Sequence, residues 1–186
     1  MGATGIEELR TVADYQFGAG AGAALFPPEE ERTIRRSTSG RPQQVLAGEG
    51  RVVSYGVDGR FTLGLVGGER LARTFPRPRC RVSVGTESVP FVADGKNAFC
   101  KFVREADPEI RPGDEVLVVL GENAVRENES RDENRGQGEE MDGSEATTAE
   151  PGTLLAVGRA ELGAEAMGDF ETGIAVKIRT GIGTVG

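Results

Sequence analysis

The lysines of this chain are few, and all of them fall in the second half, in segments that favour strands and turns. Lys96, Lys101 and Lys177 are the only lysines among 22 basic residues, and the other 19 are arginines. Lys96 lies in the turn Gly95-Lys96-Asn97. Positive groups beside a flexible glycine turn are typical of contacts to phosphate and sugar. From spacing alone, the alternative stays open that strand lysines are solvated and protect sheet edges.

Alternation along the predicted strands indicates which cations face outwards. In residues 173–179, Lys177 and Arg179 alternate with Val176 and Ile178, so the apolar pair is expected in the core and the cations on the outer face. The same parity places two further residues on outer faces of this half, Arg81 and Lys101.

Other residue types restrict the chemistry. The chain has no histidine, which excludes Ser-His and Cys-His nucleophile pairs. Cys80 and Cys100 are 20 positions apart, a spacing that matches neither a zinc site nor a disulfide framework. We therefore expect two unpaired core thiols on adjacent strands, no metal and no cofactor. Asp14 is a lone carboxylate, and it is expected to be a structural hydrogen-bond acceptor.

The elements that position these residues are predicted from periodicity and turn signals. Apolar residues near helical spacing indicate a helix over residues 5–17. Two β-prone runs, 51–55 and 60–65, are joined through Asp58-Gly59, a strong hairpin signal. Prolines at 76 and 78 mark a boundary, so residues 1–74 are predicted to form an α+β domain.

Residues 77–181 are predicted to form a second, mostly-β domain, since short alternating strands separated by turns favour a small barrel. Two short helices are expected within it, one near residues 88–94 with Pro90 in its first turn and Gly95 as its stop, another near residues 164–170. The predicted strands are Cys80–Val84, Ala98–Arg104, Glu115–Leu120, Thr153–Val157 and Gly173–Arg179.

Most of the net negative charge lies in one tract. Residues 122–150 hold ten acidic residues and three arginines, a net charge of −7, which leaves −1 of the total of −8 for the rest of the chain. The tract has almost no large apolar side chains, so it cannot bury enough surface to offset its ordering entropy. It is predicted to be a disordered acidic insertion in the second domain.

The composition also bears on location. No run of about 18 apolar residues suggests a membrane span, and residues 1–5 lack the basic and apolar regions of a signal peptide. We expect a cytoplasmic protein that does not contact a membrane.

Four segments of the second half together form a recognisable motif: residues 91–99 (FVADGKNAF), 106–116 (ADPEIRPGDEV), 154–160 (LLAVGRA) and 173–179 (GIAVKIR). In these segments the second half resembles the PUA domain, a pseudobarrel found in pseudouridine synthases and archaeosine tRNA-guanine transglycosylases. The resemblance implies that the turn at Gly95 approaches an RNA stem and that the last strand lies near a 3′ end. The RNA-binding candidates carried over are Gly95, Lys96, Asn97, Lys101, Lys177 and Arg179, with Arg81 as a weaker neighbour.

The first half has two characteristic segments, residues 9–18 (LRTVADYQFG) and 58–63 (DGRFTL). In these segments it is similar to the domain that precedes PUA in the archaeal archaeosine transglycosylases, and this resemblance implies an archaeal origin. Arg35, Arg36 and Arg41 are further candidate RNA contacts in this half.

The leading hypothesis is a non-catalytic RNA-binding protein that recognises the acceptor stem and 3′ end of tRNA as an accessory factor in tRNA modification, with a separate tRNA-modifying enzyme as a further partner. Two alternatives stay open: a protein-interaction adaptor in translation or ribosome biogenesis, and an enzyme of unrecognised chemistry. Catalysis is not expected. The transglycosylase requires a large barrel with paired aspartates and a cysteine/histidine zinc site, and this chain has neither the length for such a barrel nor the zinc ligands, since it has no histidine and two cysteines.

Overall fold

The computed structural model describes residues 5–122 and 149–183. Its first half contains three helices and one four-stranded antiparallel sheet in the order β1-β2-β3-β4. The elements are α1 (Ile6–Phe17), α2 (Ala21–Leu25), β1 (Thr33–Arg36), β2 (Pro42–Ala47), β3 (Gly50–Tyr55), β4 (Phe61–Leu63) and α3 (Leu65–Thr74).

Helix α1 forms where the apolar spacing predicts it. Leu9, Ala13 and Phe17 recur on one face and are buried in the core of the first half. The Oδ1 of Asp14 accepts a hydrogen bond from the backbone N–H of Gly22 at 2.7 Å, which joins α1 to α2. Asp14 therefore has the structural role expected of it.

The second half is a near-closed pseudobarrel built on a six-stranded mixed sheet, in the order β6-β10-β9-β8-β5-β7. Strands β5 and β8 run parallel, and the other neighbours run antiparallel. The elements are β5 (Arg81–Val84), α4 (Val89–Ala93), β6 (Ala98–Phe99), β7 (Val103–Ala106), β8 (Glu115–Leu120), β9 (Leu154–Ala160), α5 (Ala164–Asp169) and β10 (Ile174–Gly181).

Some predicted elements differ from the structure. The strand expected over residues 98–104 is interrupted by a 3₁₀ turn at Cys100–Phe102, so its two ends pair with different strands, β10 and β5. The strand expected over residues 60–65 ends at Leu63, and α3 begins at Leu65. The hairpin of β1 and β2 and helix α3 were not predicted.

Strand β8 lies between two apolar cores, and all six of its residues are buried. Val116, Val118 and Leu120 face the core of the barrel. Leu117 and Val119, on the opposite face, belong to the core of the first half. The first half thus covers the outer face of the barrel at this strand, and the two halves share apolar packing.

This covering corrects the expectation for Arg81. Its side chain does lie opposite Val82, but that face is buried under the first half and Arg81 is only 5% exposed. The guanidinium donates hydrogen bonds to the backbone carbonyls of Ala72, Phe75, Pro76 and Arg79. Arg81 is therefore a buried structural residue and is not available to a ligand.

The two cysteines are both free, but they do not lie on adjacent strands as expected. Cys80 precedes β5 and packs against the core of the first half, where burial raises the pKa of its thiol to about 11. Cys100 begins the 3₁₀ turn and lies in the core of the barrel. A raised pKa disfavours the reactive thiolate.

Two expectations, the disordered acidic insertion and the lack of a membrane span, concern regions that the structure describes only in part. Residues 123–148, most of the predicted acidic insertion, lie outside the described residues. Within residues 5–122 and 149–183, no helix is long and apolar enough to cross a membrane.

Candidate functional site

The turn that follows α4 is held in place by backbone hydrogen bonds. The N–H groups of Gly95 and Lys96 donate to the carbonyls of Val92 and Phe91 at 3.0 and 2.9 Å. Gly95 has a φ of +86°, which favours glycine, and a Cβ at this position would meet no atom within 4 Å. The turn therefore presents open space to a ligand.

Asn97 fastens this turn to the last strand. Its Oδ1 accepts a hydrogen bond from the backbone N–H of Ile178 at 3.1 Å, and the side chain is half-buried. Asn97 thereby places the turn beside β10, which also pairs with β6.

Two lysines and three phenylalanines surround a mostly apolar cavity of about 300 Å³ next to the turn. Lys96 and Lys101 line it, and Lys101 Nζ lies 4.8 Å from the ring centroid of Phe102. Phe91 and Phe99 also line it and are 54% and 43% exposed. Sequence reasoning missed these two rings, although each occupies a segment that carries the PUA resemblance.

Strand β10 places Lys177 and Arg179 on its exposed side, as the alternation predicts. The ammonium of Lys177 makes no hydrogen bond or ion pair with the described residues. Arg179 Nε donates to Oε1 of Glu115 at 2.9 Å. Glu115 is almost fully buried, and its Oε2 accepts a hydrogen bond from the backbone N–H of Leu63 in the first half at 3.1 Å.

The candidate residues thus form two neighbouring groups. The first, Lys96, Asn97 and Lys101, surrounds the cavity beside the turn. The second, Lys177 and Arg179, lines a separate cleft on β10 of about 440 Å³. The hydrogen bond between Asn97 and Ile178 connects the two.

The lysines differ from many of the arginines in how their charge is used. Lys96 pairs only with Asp94, at 3.2 Å, and both side chains are more than half exposed. An ion pair this exposed contributes little to the stability of the fold. In contrast, Arg10, Arg70 and Arg81 donate hydrogen bonds to backbone carbonyls, and Arg70 also pairs with the half-buried carboxylate of Glu30. The lysines therefore keep their charge available to an anionic ligand.

The arginines proposed in the first half lie on one hairpin. Arg35 and Arg36 are at the end of β1, Arg41 directly precedes β2, and all three are exposed. Arg36 Nη1 donates to the carbonyl of Gly40 at 3.1 Å, so it stabilises the connecting turn.

Two family models match the chain. Residues 7–78 match the patch-forming domain C2 of tRNA-guanine transglycosylase, and residues 80–125 match the PUA domain. The resemblances inferred for the two halves are confirmed, as is the fold class of an α+β part followed by a PUA pseudobarrel.

Curated relatives agree with these matches. The chain is 38% identical over 175 residues to the tRNA-guanine(15) transglycosylase of Thermococcus kodakarensis, which covers 94% of this chain and 25% of the relative. It is 37% identical over 177 residues to that of Methanothermobacter thermautotrophicus, covering 95% and 22%. The match lies in the C-terminal part of these archaeal proteins, and the chain spans about a quarter of their length.

Solved structures share the fold. A hypothetical protein from Pyrococcus horikoshii OT3 has a TM-score of 0.61 and 19% identity, covering 95% of this chain and 89% of that one. A conserved PUA domain protein from Thermoplasma acidophilum has a TM-score of 0.57 and 17% identity, covering 97% and 93%.

Proposed function

Since the chain belongs to the proteins that carry the patch-forming C2 domain of tRNA-guanine transglycosylase followed by a PUA domain, we propose that it binds RNA and that its ligand is tRNA. The proposal includes an accessory, non-catalytic role in tRNA modification, with a separate modifying enzyme as partner. It is supported by the match, which falls in the C-terminal part of tRNA-modifying enzymes, a binding region rather than the catalytic domain.

The observation that carries the proposal is the availability of three lysines on one domain. Lys96, Lys101 and Lys177 are exposed, and none is held by a buried carboxylate among the described residues. RNA phosphates release bound counterions when cations of this kind approach, which is the main source of affinity for a polyanion. Lys96 and Lys101 lie beside the open turn at Gly95, which allows the RNA backbone to approach closely.

The exposed phenylalanines extend this interpretation to unpaired nucleotides. Phe91 and Phe99 present ring surface beside Lys96 and Lys101. Aromatic rings next to cations are the usual platform for bases of single-stranded RNA. A junction between an acceptor stem and an unpaired 3′ end would use both the lysines and the rings.

The test is tRNA affinity across a salt series for the triple variant Lys96→Ala/Lys101→Ala/Lys177→Ala. We expect affinity to fall by at least about tenfold, and the salt slope of log K to fall by about two to three units, since each phosphate contact contributes somewhat less than one. Two tRNAs of different sequence should lose affinity about equally, because phosphate contacts carry no sequence information.

Arg73→Ala is a suitable control, since this arginine is 78% exposed on α3 and pairs only with Glu69. The melting temperatures of all variants should match that of the wild type. If the triple variant binds tRNA as tightly as the wild type, this face is not the RNA site, and the adaptor hypothesis replaces the proposal.

Gly95 allows a second test of the same turn. We expect Gly95→Val to weaken tRNA binding, because a side chain would extend into the space where the RNA approaches. The strain of a positive φ should also cost about 1 kcal/mol of folding stability.

Gly113→Val is the matched control for this substitution. Gly113 has a φ of +93° and its Cβ would likewise meet no atom within 4 Å, but it lies in the loop before β8. The two variants should lose similar stability, and only Gly95→Val should lose affinity. Equal affinities in both would contradict close approach of RNA at Gly95.

A further inference from the structure

The cleft on β10 is built by both halves of the chain. One wall of the cleft is formed by Arg51 on β3 and Thr62 on β4, and the other wall is formed by residues of β9 and β10. Arg51 Nη2 reaches across to Thr180 Oγ1 at 3.4 Å, and its Nη1 donates to Ser54 Oγ at 2.8 Å. The polar residues that line the cleft are four cations and two hydroxyls: Arg51, Arg159, Lys177, Arg179, Thr62 and Thr180.

The charges in this cleft are not balanced by the described residues. Arg159 pairs with Glu161 and Arg179 pairs with Glu115, at 2.7 and 2.9 Å. Arg51 is held only by neutral hydroxyls, and Lys177 has no partner in the described part of the chain. Two positive charges therefore face the cleft without a carboxylate.

The strand register increases this imbalance. Lys177 lies directly opposite Arg159 in the pairing of β10 with β9. Like charges directly opposite each other are destabilising, and Glu161 compensates only Arg159, so among the described residues the charge of Lys177 stays unbalanced beside it. The Nη1 and Nη2 groups of Arg179 make no hydrogen bond with the described residues, since only Nε is used by Glu115.

We propose that this cleft binds a phosphodiester group of the RNA backbone, held by Arg51 from the first half and by Lys177 and Arg179 from the barrel. The chemistry fits because arginine donates two parallel hydrogen bonds to phosphate oxygens, and threonine hydroxyls donate further ones. This inference rests on the proposed RNA-binding function and adds to it a contact from the first half.

A phosphodiester is favoured over a terminal phosphate by the position of the cleft. It lies on the strand that pairs with β6, directly beside the Lys96–Lys101 region, so a backbone that follows the lysines continues into it. The core of the first half includes Leu117 and Val119 of β8, so the two halves pack against each other, as a site made by both requires.

The experiment compares Arg51→Gln and Arg51→Lys with the wild type in the tRNA salt series. Arg51→Gln should weaken binding by about threefold to tenfold and lower the salt slope by about 0.7 to 0.9, the contribution of one phosphate contact. Arg51→Lys keeps the charge and should retain the slope, with part of the affinity lost with the bidentate geometry. The same effect is expected on tRNA with and without its 5′ phosphate.

Arg60→Gln is the matched control. Arg60 also comes from the first half and contacts the barrel, through Asp114 at 3.2 Å, but it does not line this cleft. Its loss should leave affinity and slope unchanged. Thermal melts of all three variants separate binding from folding, and Arg51→Lys keeps the test valid if Arg51→Gln is unstable.

If Arg51→Gln keeps the wild-type affinity and salt slope while the lysine triple variant binds tRNA weakly, the cleft assignment is overturned. The proposed function would then remain intact. An effect of Arg51→Gln confined to 5′-phosphorylated tRNA would also overturn the cleft assignment, since the ligand would then be a terminal phosphate. Failure of the wild-type protein to bind tRNA would overturn both.

Discussion

Replacement of Arg81 by alanine is expected to lower the free energy of unfolding by about 3 kcal/mol, the scale found when a buried, hydrogen-bonded charged group is removed. The guanidinium is 5% exposed and donates to four carbonyls. Two of its acceptors, Ala72 and Phe75, lie at the C-terminal end of α3, where helix carbonyls have no partner within the helix. Alanine would leave these acceptors buried and unsatisfied.

The charge of Arg81 is retained although burial lowers the pKa of its guanidinium. Lysine at this position would keep the charge but not the planar set of donors, so Arg81→Lys should recover only part of the loss. Arg73→Ala serves as the surface control and should change stability by less than about 0.5 kcal/mol.

Urea denaturation of the three variants and the wild type provides the measurement. A loss below about 1 kcal/mol in Arg81→Ala would mean that the carbonyls find other donors, contrary to this account. The tRNA affinity of the folded Arg81→Ala protein should remain near that of the wild type, because Arg81 does not reach the proposed site.

Replacement of Glu115 by alanine is expected to cost about 2 to 4 kcal/mol and to weaken tRNA binding as well. The carboxylate joins the two halves, since it accepts from Leu63 N–H in the first half and from Arg179 Nε in the barrel. Without it, a buried backbone N–H loses its acceptor and Arg179 loses the contact that orients it in the cleft.

Glutamine at position 115 separates charge from hydrogen bonding, because its amide oxygen can still accept from Leu63. Burial raises the pKa of Glu115 above its ordinary value of 4.5, although Arg179 and the Leu63 N–H oppose the shift. Because the pKa of Glu115 is higher in the folded state than in the unfolded state, its protonated form stabilises the fold. This contribution is complete below the unfolded pKa, and it is lost as the pH rises through the folded pKa.

The wild type should therefore lose stability relative to Glu115→Gln as the pH rises above about 4.5, since the variant cannot ionise. Denaturation of both proteins at a series of pH values between about 4 and 7 measures this difference. A stability difference that stays constant over this range, or that changes in the opposite direction, would contradict the raised pKa.

Local features of the sequence predicted much of the fold. Helix α1 was expected within one residue, because Leu9, Ala13 and Phe17 supply a complete apolar face. Helix α4 and its stop at Gly95 were recognisable from two residues. Pro90 is typical of the first turn of a helix, and glycine is favoured at a helix end where φ is positive. These signals depend on neighbours a few residues away, which the sequence displays directly.

Elements that rely on distant contacts were missed. Helix α3 contains Gly67 and Gly68, which are poor helix formers. Both glycines allow close packing instead, since a Cβ at Gly67 would lie 2.3 Å from the carbonyl oxygen of Val52 and one at Gly68 would lie 2.5 Å from Val157. Strand β1 is largely polar and exposed, and β2 has a single buried residue, Val45, so neither shows a clear alternation.

The same distinction applies to the site. The turn at Gly95 and the outward alternation of Lys177 and Arg179 were expected from the sequence, and both are present in the structure. Arg51 and Glu115 were not among the candidates, because their partners are Thr180 and Leu63, which are 129 and 52 positions away.

The sequence by itself determined the two kinds of domain, the order of most strands and the side of β5 and β10 on which their cations lie, because all of these follow from periods of two or 3.6 residues. Lys101 is different, since it lies in a 3₁₀ turn and not on the strand that was expected there. Only the tertiary structure decided which of those sides meets solvent. The first half covers the outer face of β5 and β8, so Arg81 is buried while Lys177 and Arg179 remain open to a ligand. Alternation specifies a side, but the element that packs against that side comes from elsewhere in the chain.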